Sequence, residues 1–413
     1  MMGAHLLTPM TLDELRQAAK AHIAPILAAR VLDHTAPCPA RAGQACGDSL
    51  VELLGPTEIG LRTAPEEVES LVIARAAPFE PVELQLARDF ASELLLIHDG
   101  VAGEFRQEVL SFLSERALTR HLGAPPALRT VLSQFNRWTR RSYEGAAISS
   151  AIGIDPDARG GDLALEDYFA EEFSTALGNG YDTLLVTDGA GRLLGTEQLE
   201  MPRGGVAKAP YRFSAIANWC TGNRIALLLN HRGEQVIFRN RMMVCTKLWG
   251  KWLYNTYEMY LDQINPPQDR KLREEIYQTC LDVSWARCGG CLVVVRSGAM
   301  DAVATMVSEN DRLDRAQPAS RKAAMLRLLG GRRFQDMDRR LRQELLAIDG
   351  ATVISETGDI IAIGAILSVP SGSHGGGRHS AALRGSELGL GIKMSEDGAL
   401  SIFRNGKLSY DAS

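Results

Sequence analysis

Residues 182–195, DTLLVTDGAGRLLG, and residues 349–362, DGATVISETGDIIA, decide how this chain is read. Each runs from an apolar stretch through a glycine-bearing turn into a second apolar stretch, the signature of a β-hairpin. A shift of 167 lays Asp182 on Asp349, Val186 on Val353 and Gly191 on Gly358. Further on, a shift of 166 aligns YRFSAI with GRHSAA, so that Arg212, Ser214 and Ala215 meet Arg378, Ser380 and Ala381. A shift of 165 then aligns HRGEQVIFRN with EDGALSIFRN. Each step needs one deleted residue between strands, where loops tolerate it, so the chain carries a β-rich unit twice.

The repeat also separates the two Asp-Gly-Ala triplets. Asp188-Gly189-Ala190 aligns with Ser355-Glu356-Thr357 at a hairpin tip, where Asp and Gly serve turn geometry. Asp349-Gly350-Ala351 instead opens a strand, and its aspartate aligns with Asp182.

Around the hairpins the pattern alternates between helix and strand. The first 140 or so residues read mainly as helix, with amphipathic stretches such as VELQLARDFASELLLI and EFRQEVLSFLSERAL. Asp followed by Gly marks a helix end at His98-Asp99-Gly100. RIALLLN, the turn His231-Arg232-Gly233 and EQVIFRN form a later hairpin, GKWLYNTYEMYLDQI reads as a closing helix, and NPPQD as a linker. Beyond it Leu272, Ile276, Cys280 and Val283 share a helix face, and RCGGCLVVV is a buried strand. A second helical tract carries Phe334, Met337, Leu341 and Leu345, with Gly330-Gly331 as a break. The expected class is α/β: a mixed sheet with flanking helices at the C-terminal end, a related unit before it, and a helical N-terminal region. The expected divisions are 1–140, 141–264 and 268–413.

With 413 residues, 45% of them hydrophobic, the chain can bury more than one core. A net charge of −5 gives no field that favours nucleic acid or an anionic membrane, and neither is expected as a partner. The start, MMGAHLLTPM, has no basic lead or long apolar stretch, and runs such as IALLL fall far short of a membrane span, so a cytoplasmic location is expected. Seven cysteines, scattered from Cys38 to Cys291, fit a reducing compartment better than a disulfide framework.

The second copy holds groups that the first lacks. Asp349 is followed by two residues of almost no side chain, which would let a ligand approach the backbone. Gly375-Gly376-Gly377 lead into Arg378-His379, a guanidinium fork and a protonatable donor suited to a polyphosphate. Glu396, in MSEDG, adds a second carboxylate. At the matching positions the first copy has Leu184 for Ala351, Phe213 for His379 and His231 for Glu396. Carboxylates able to hold Mg²⁺ or Mn²⁺ beside a phosphate-gripping cation are the parts of nucleotidyl transfer.

From about residue 268 onward, these blocks resemble the diadenylate cyclase (DAC) domain family, whose members condense two ATP into cyclic di-AMP. The resemblance rests on DRKLREEIYQTCLDVSWA, RCGGCLVVV, the Asp-Gly-Ala strand, the Arg-His loop before SAAL, and the SEDG hairpin. It implies that Asp349 binds metal and positions a ribose 3′-hydroxyl, with Glu396 near both. Gly350 and Ala351 would lie along the nucleotide, and Arg378 and His379 would grip phosphates, flanked by Gly377 and Ser380. Those two stand where the family's motif carries Thr and a second Arg. Residues 141–264 resemble a degenerate, sensor-like copy. Ring closure requires two sites face to face, which implies a homo-oligomer. Two alternatives remain open: a non-catalytic nucleotide-binding sensor on this scaffold, and a cyclase with another cyclic or linear product.

Other features favour plainer roles. Cys288-x-x-Cys291 has the spacing of half a zinc site, but no second pair follows at a suitable distance, and no structural zinc is expected. Arg321, Lys322, Arg327, Arg332 and Arg333 suit a solvated helix face. Trp249, Trp252, Tyr254, Tyr257 and Tyr260 suit a packing helix.

Overall fold

The computed structural model describes residues 10–37, 50–101, 103–143, 145–171, 177–314, 324, 327–368 and 376–411. The chain forms two compact units of α/β character. The first runs to Met201 and takes in Ala215–Thr256; the second comprises Pro202–Ser214 and the chain from Tyr257. Among the described residues, no helix is long and apolar enough to cross a membrane. The five described cysteines are free thiols; Cys38 and Cys46 lie outside the described residues.

In the first unit, strands β1 (Arg30–Pro37), β2 (Val51–Gly55), β3 (Glu58–Leu61) and β4 (Glu69–Ala74) form an antiparallel sheet in the order β1-β4-β3-β2. The mainly helical reading of residues 1–140 misses this sheet. Its first strand is half exposed with no fully buried residue, and lacks the strict alternation that marks a strand in sequence. The helices are as expected where the pattern is strong. Pro81–Gly100 starts on Pro at its first turn, with the Glu83 carboxylate accepting from the Glu80 N–H at 2.8 Å, and buries Leu86, Phe90, Leu94 and Ile97. One apolar core runs from Leu15 to Tyr254, so residues 1–140 share a core with the first repeat.

After the short hairpin of β5 (Ser142–Tyr143) and β6 (Ala146–Ala147), the first repeat is built from β7 (Ser150–Asp155), β8 (Thr183–Asp188), β9 (Leu193–Gln198), β10 (Ile225–Leu229), β11 (Gln235–Arg239), β12 (Met242–Leu248) and β13 (Lys251–Tyr254). They form one sheet in the order β13-β12-β11-β10-β7-β8-β9. The second unit has β14 (Gly290–Val295), β15 (Ala351–Ser355), β16 (Ile360–Ala365), β17 (Gly389–Met394), β18 (Leu400–Arg404) and β19 (Lys407–Asp411), in the order β16-β15-β14-β17-β18-β19.

Six strands of the first sheet match the second sheet strand for strand, and β13 is extra. β7 pairs parallel with β8 and antiparallel with β10, as β14 does with β15 and β17. Ile225 faces Arg239 as Leu390 faces Arg404, while β15–β16 has one further shift, Ala351 facing Ala365 where Leu184 faces Glu197. The bulge at Val186/Thr187 recurs at Val353/Ile354, and the one at Ile237/Phe238 recurs at Ile402/Phe403. Bulges are specific features, and their recurrence at aligned residues ties the two units to one plan.

Three expectations change. GKWLYNTYEMYLDQI is not one helix: Lys251–Tyr254 is a strand and Tyr257–Gln263 a helix, so Trp252 and Tyr254 belong to the first unit and Tyr257 and Tyr260 to the second. Trp249 sits in the preceding turn and is exposed. The tract after Gly330-Gly331 is a short 3₁₀ turn at Phe334–Asp336, then a helix, Arg339–Ala347, capped by Asp338 accepting from the Arg340 N–H at 2.9 Å. Restarting at that cap resets the helical phase, so Arg339, Arg342 and Leu346 turn inward and Leu341 and Leu345 stay partly exposed. The unit boundary also departs from 264/268. Pro202–Ser214, part of the first repeat in sequence, belongs to the second unit, held there by a buried ion pair. Arg339 donates to both Asp282 carboxylate oxygens at 2.6 and 2.9 Å and to the carbonyls of Val206 and Ala209 at 2.9 and 2.7 Å, while Asp282 also accepts from the Tyr211 N–H at 2.6 Å.

Candidate functional site

The second unit brings its candidate residues to one end of its sheet. β14 supplies the frame, since its run GCLVVV is fully buried between a parallel and an antiparallel neighbour. Leu292 is level with Thr352 on β15, and Gly290 with Met394 on β17. Carrying those ladders to the strand ends aligns Gly289, Asp349 and Ser395, with neighbouring main chains about 4.8 Å apart. Asp349 thus precedes one strand and Glu396 follows another at the same end.

Arg378 and Glu396 are in direct contact. Arg378 lies in the first turn of the helix Gly377–Gly385, which starts after Gly376, and its Nη1 donates to Glu396 Oε1 at 2.9 Å. The guanidinium is 26% exposed and the carboxylate 70%. Arg378 Nε is buried with no partner among the described residues. Gly375 lies outside the described residues.

Gly289, which the sequence reading passed over, makes this contact possible. It has φ +65°, and a Cβ there would sit 2.3 Å from Arg378 Nη1 and 3.1 Å from Glu396 Cγ. The available signal was the double glycine in RCGGC, read only for its cysteines. Those cysteines have separate fates: Cys288 is exposed, while Cys291 is in the core, where burial pushes its thiol up to about 12.

The other candidates have plainer surroundings. Asp349 is exposed, and its Oδ1 accepts from the N–H of Gly350 at 3.0 Å. Gly350 has φ +93°, and a Cβ there would lie 2.6 Å from the carbonyl carbon of Gly364. Glycine is therefore required by the neighbouring chain, not by an approaching ligand. Ala351 is fully buried in the core and can offer a ligand only its backbone. His379 packs edge-on against Phe403, with ring centroids 5.1 Å apart. Ser380 is buried, and its N–H donates to the Gly376 carbonyl at 3.1 Å. Among the described residues, no group of three or more His, Cys, Asp or Glu is gathered to hold a metal ion. Arg332 and Arg333 are exposed, Arg333 pairing with Asp359 at 3.2 Å; Arg321 and Lys322 lie outside the described residues.

The same end of the first repeat is built differently. Asn179 accepts from the N–H groups of Tyr181, Asp182 and Thr183 and donates to Asp182 Oδ1 at 2.7 Å. His231, aligned with Glu396, meets the Tyr181 hydroxyl at 3.1 Å. Asp188 fills the turn role its alignment predicts: it accepts from the N–H groups of Gly160, Ala190 and Arg192 at 2.9, 2.9 and 2.8 Å. Burial alone would raise its carboxyl, but these donors outweigh it and hold the group below the usual carboxylate range.

No family model matches the chain, and no curated protein matches it.

Proposed function

We propose that the second unit is a DAC-like nucleotidyltransferase domain that condenses two ATP into cyclic di-AMP, with two pyrophosphates leaving. One observation carries this reading: the Arg378–Glu396 pair lies at the end of the sheet where Asp349 also emerges, and Arg378 Nε is buried without a partner among the described residues. A bound anion is one acceptor that would satisfy it. A phosphate oxygen fits it, and the first turn of the helix Gly377–Gly385 adds main-chain N–H groups beside it.

Mg²⁺ or Mn²⁺ suits the donor set, because such ions take one or two carboxylates and complete their shell with phosphate and water. Asp349 would hold the ion through the oxygen not committed to Gly350, with Glu396 nearby. When bound, the ion neutralises charge on the triphosphate. The chain's own residues orient the rest: Arg378 binds phosphate oxygens, His379 is braced against Phe403, and Asp349 accepts from the 3′-hydroxyl that attacks the partner nucleotide's α-phosphorus. Each such site performs one transfer, so a face-to-face homo-oligomer is part of the proposal.

The Arg378–Glu396 pair favours a second reading, a nucleotide-binding sensor without turnover, since the pair neutralises its own charges before any ligand arrives. Incubating the protein with each NTP and Mn²⁺ or Mg²⁺, then identifying products by mass spectrometry, separates these readings and also detects a different cyclic or linear product. Asp349→Asn should abolish product; unchanged turnover would remove Asp349 from the site.

A further inference from the structure

A cleft of about 250 Å³ in the N-terminal unit belongs to none of the features above. One wall is a helical run that opens into a π-helical turn at Ala19–Ile23, between Leu12–Ala18 and Ala24–Ile26. Pro25 accounts for the widening. It has no N–H to give the Ala21 carbonyl four residues earlier, and the Ala24 N–H reaches back five residues to Ala19. Ala21 and His22, on that turn, line the cleft. Leu94 and His98 come from the helix Pro81–Gly100, and Arg106 and Leu110 from Gly103–Leu110.

Two opposite charges share this space without neutralising one another. Glu14 and Arg106 both line it, and among the described residues no ion pair joins them. Glu14 Oε2 accepts from the N–H and hydroxyl of Thr11 at 2.8 and 2.9 Å, and Oε1 takes neither bond. Those bonds hold the carboxyl below its ordinary range, with His98 and Arg106 adding attraction. Arg106 gives Nη2 to the His98 carbonyl at 3.1 Å, while its Nε is buried without a partner among the described residues. His22 is fixed through Nδ1 to the Ser114 hydroxyl at 3.0 Å, and His98 through Nδ1 to Asp99 at 3.1 Å. Met10, Leu94 and Leu110 give the same cleft apolar surface.

We infer that this cleft binds a small zwitterion with an apolar tail, a free α-amino acid by chemical class. The ligand's carboxylate meets Arg106, its ammonium meets Glu14, and its tail lies on Met10, Leu94 and Leu110. The volume falls below the roughly 300 Å³ at which drug-sized sites begin, which suits a compact metabolite. Among the described residues no three-ligand metal group exists here to compete with this assignment.

The test is isothermal titration of the full chain with each of the twenty L-amino acids, with ZnCl₂, and with N-acetyl and amide derivatives of any binder. At least one apolar amino acid should bind one per chain. Its N-acetyl form, lacking the ammonium, and its amide, lacking the carboxylate, should each bind at least tenfold more weakly. Glu14→Gln should erase discrimination against the N-acetyl form, and Arg106→Gln discrimination against the amide. No saturable amino-acid binding at millimolar concentration, heat with ZnCl₂ alone, or unchanged discrimination in both variants overturns the inference. Should either variant unfold, Ala21→Trp on the exposed wall fills the cleft and must abolish binding while the far-UV spectrum is kept; undiminished binding would be equally fatal.

Discussion

Gly289→Ala isolates the Arg378 contact. The added Cβ falls 2.3 Å from Nη1 and 3.0 Å from Cζ of Arg378, well inside ordinary contact. Both close groups are tips of partly exposed side chains, so the strain is relieved by swinging the guanidinium aside and the fold survives. The backbone cost of φ +65° for a residue with a Cβ is about 1–2 kcal/mol. Losing an ion pair 26% and 70% exposed adds at most about 1 kcal/mol after solvent screening. Urea unfolding should therefore report a loss of about 1–3 kcal/mol. The effect on nucleotide is larger in proportion. A hydrogen bond to a charged group contributes about 1.5–3 kcal/mol, so displacing Arg378 should weaken binding of a non-hydrolysable ATP analogue about 10- to 150-fold by calorimetry. A folded Gly289→Ala protein that binds the analogue within twofold of the parent would show that Arg378 grips no phosphate.

Glu396→Gln frees Arg378 from its partner, so analogue affinity should rise by up to about fivefold while product formation falls, and a drop in affinity would count against competition for Arg378. Gly350→Ala drives a Cβ into the Gly364 backbone at 2.6 Å and should lower stability by about 2–4 kcal/mol in urea titration, where a change below about 0.5 kcal/mol would restore the ligand-approach reading. Arg339→Met leaves Asp282 charged and buried, costing about 3–5 kcal/mol, and adding Asp282→Asn should recover part of that loss; purely additive losses would refute the pairing. The Asp188 carboxyl is held low in the folded chain, so its stabilisation is complete above the usual carboxylate value near about 4 and is lost as pH falls through the folded value. The stability gap between parent and Asp188→Asn should accordingly shrink on acidification, and a gap independent of pH would contradict the turn's electrostatics.

What sequence could reveal follows from how local each signal is. The hairpins were legible because their turns and apolar runs lie within twenty residues: the shifts of 167 and 165 correspond to β8–β9 against β15–β16 and β10–β12 against β17–β19. β7 and β14 were invisible as a pair, since SAIGID and GCLVVV share no residue and are related only through their neighbours. The N-terminal sheet was hidden for the same reason, its first strand pairing with one some forty residues away. At the candidate site, Ala351, His379 and Glu396 stood out against Leu184, Phe213 and His231 in the first copy, while Asp349 and Arg378 align with residues of the same type, Asp182 and Arg212. The Arg378–Glu396 bond and the Gly289 gap depend on β14 lying beside β17, which local pattern does not encode. The N-terminal cleft draws polar groups from separate helices and left no motif at all.

Comparison within the chain also shows where the two copies part. The order of six strands and two of the bulges are retained, so the demands of packing were met in much the same way twice. Differences in polar chemistry gather at one sheet end. In the first copy Asn179 gathers three N–H groups and donates to Asp182, and His231 meets the Tyr181 hydroxyl. In the second copy Asp349 accepts from the Gly350 N–H, Arg378 pairs with Glu396, and Arg378 Nε is buried without a partner among the described residues. The proposed reading places an external anion at Arg378 beside two carboxylates, which is why the enzymatic test belongs at Asp349 and Arg378 before anywhere else in the chain.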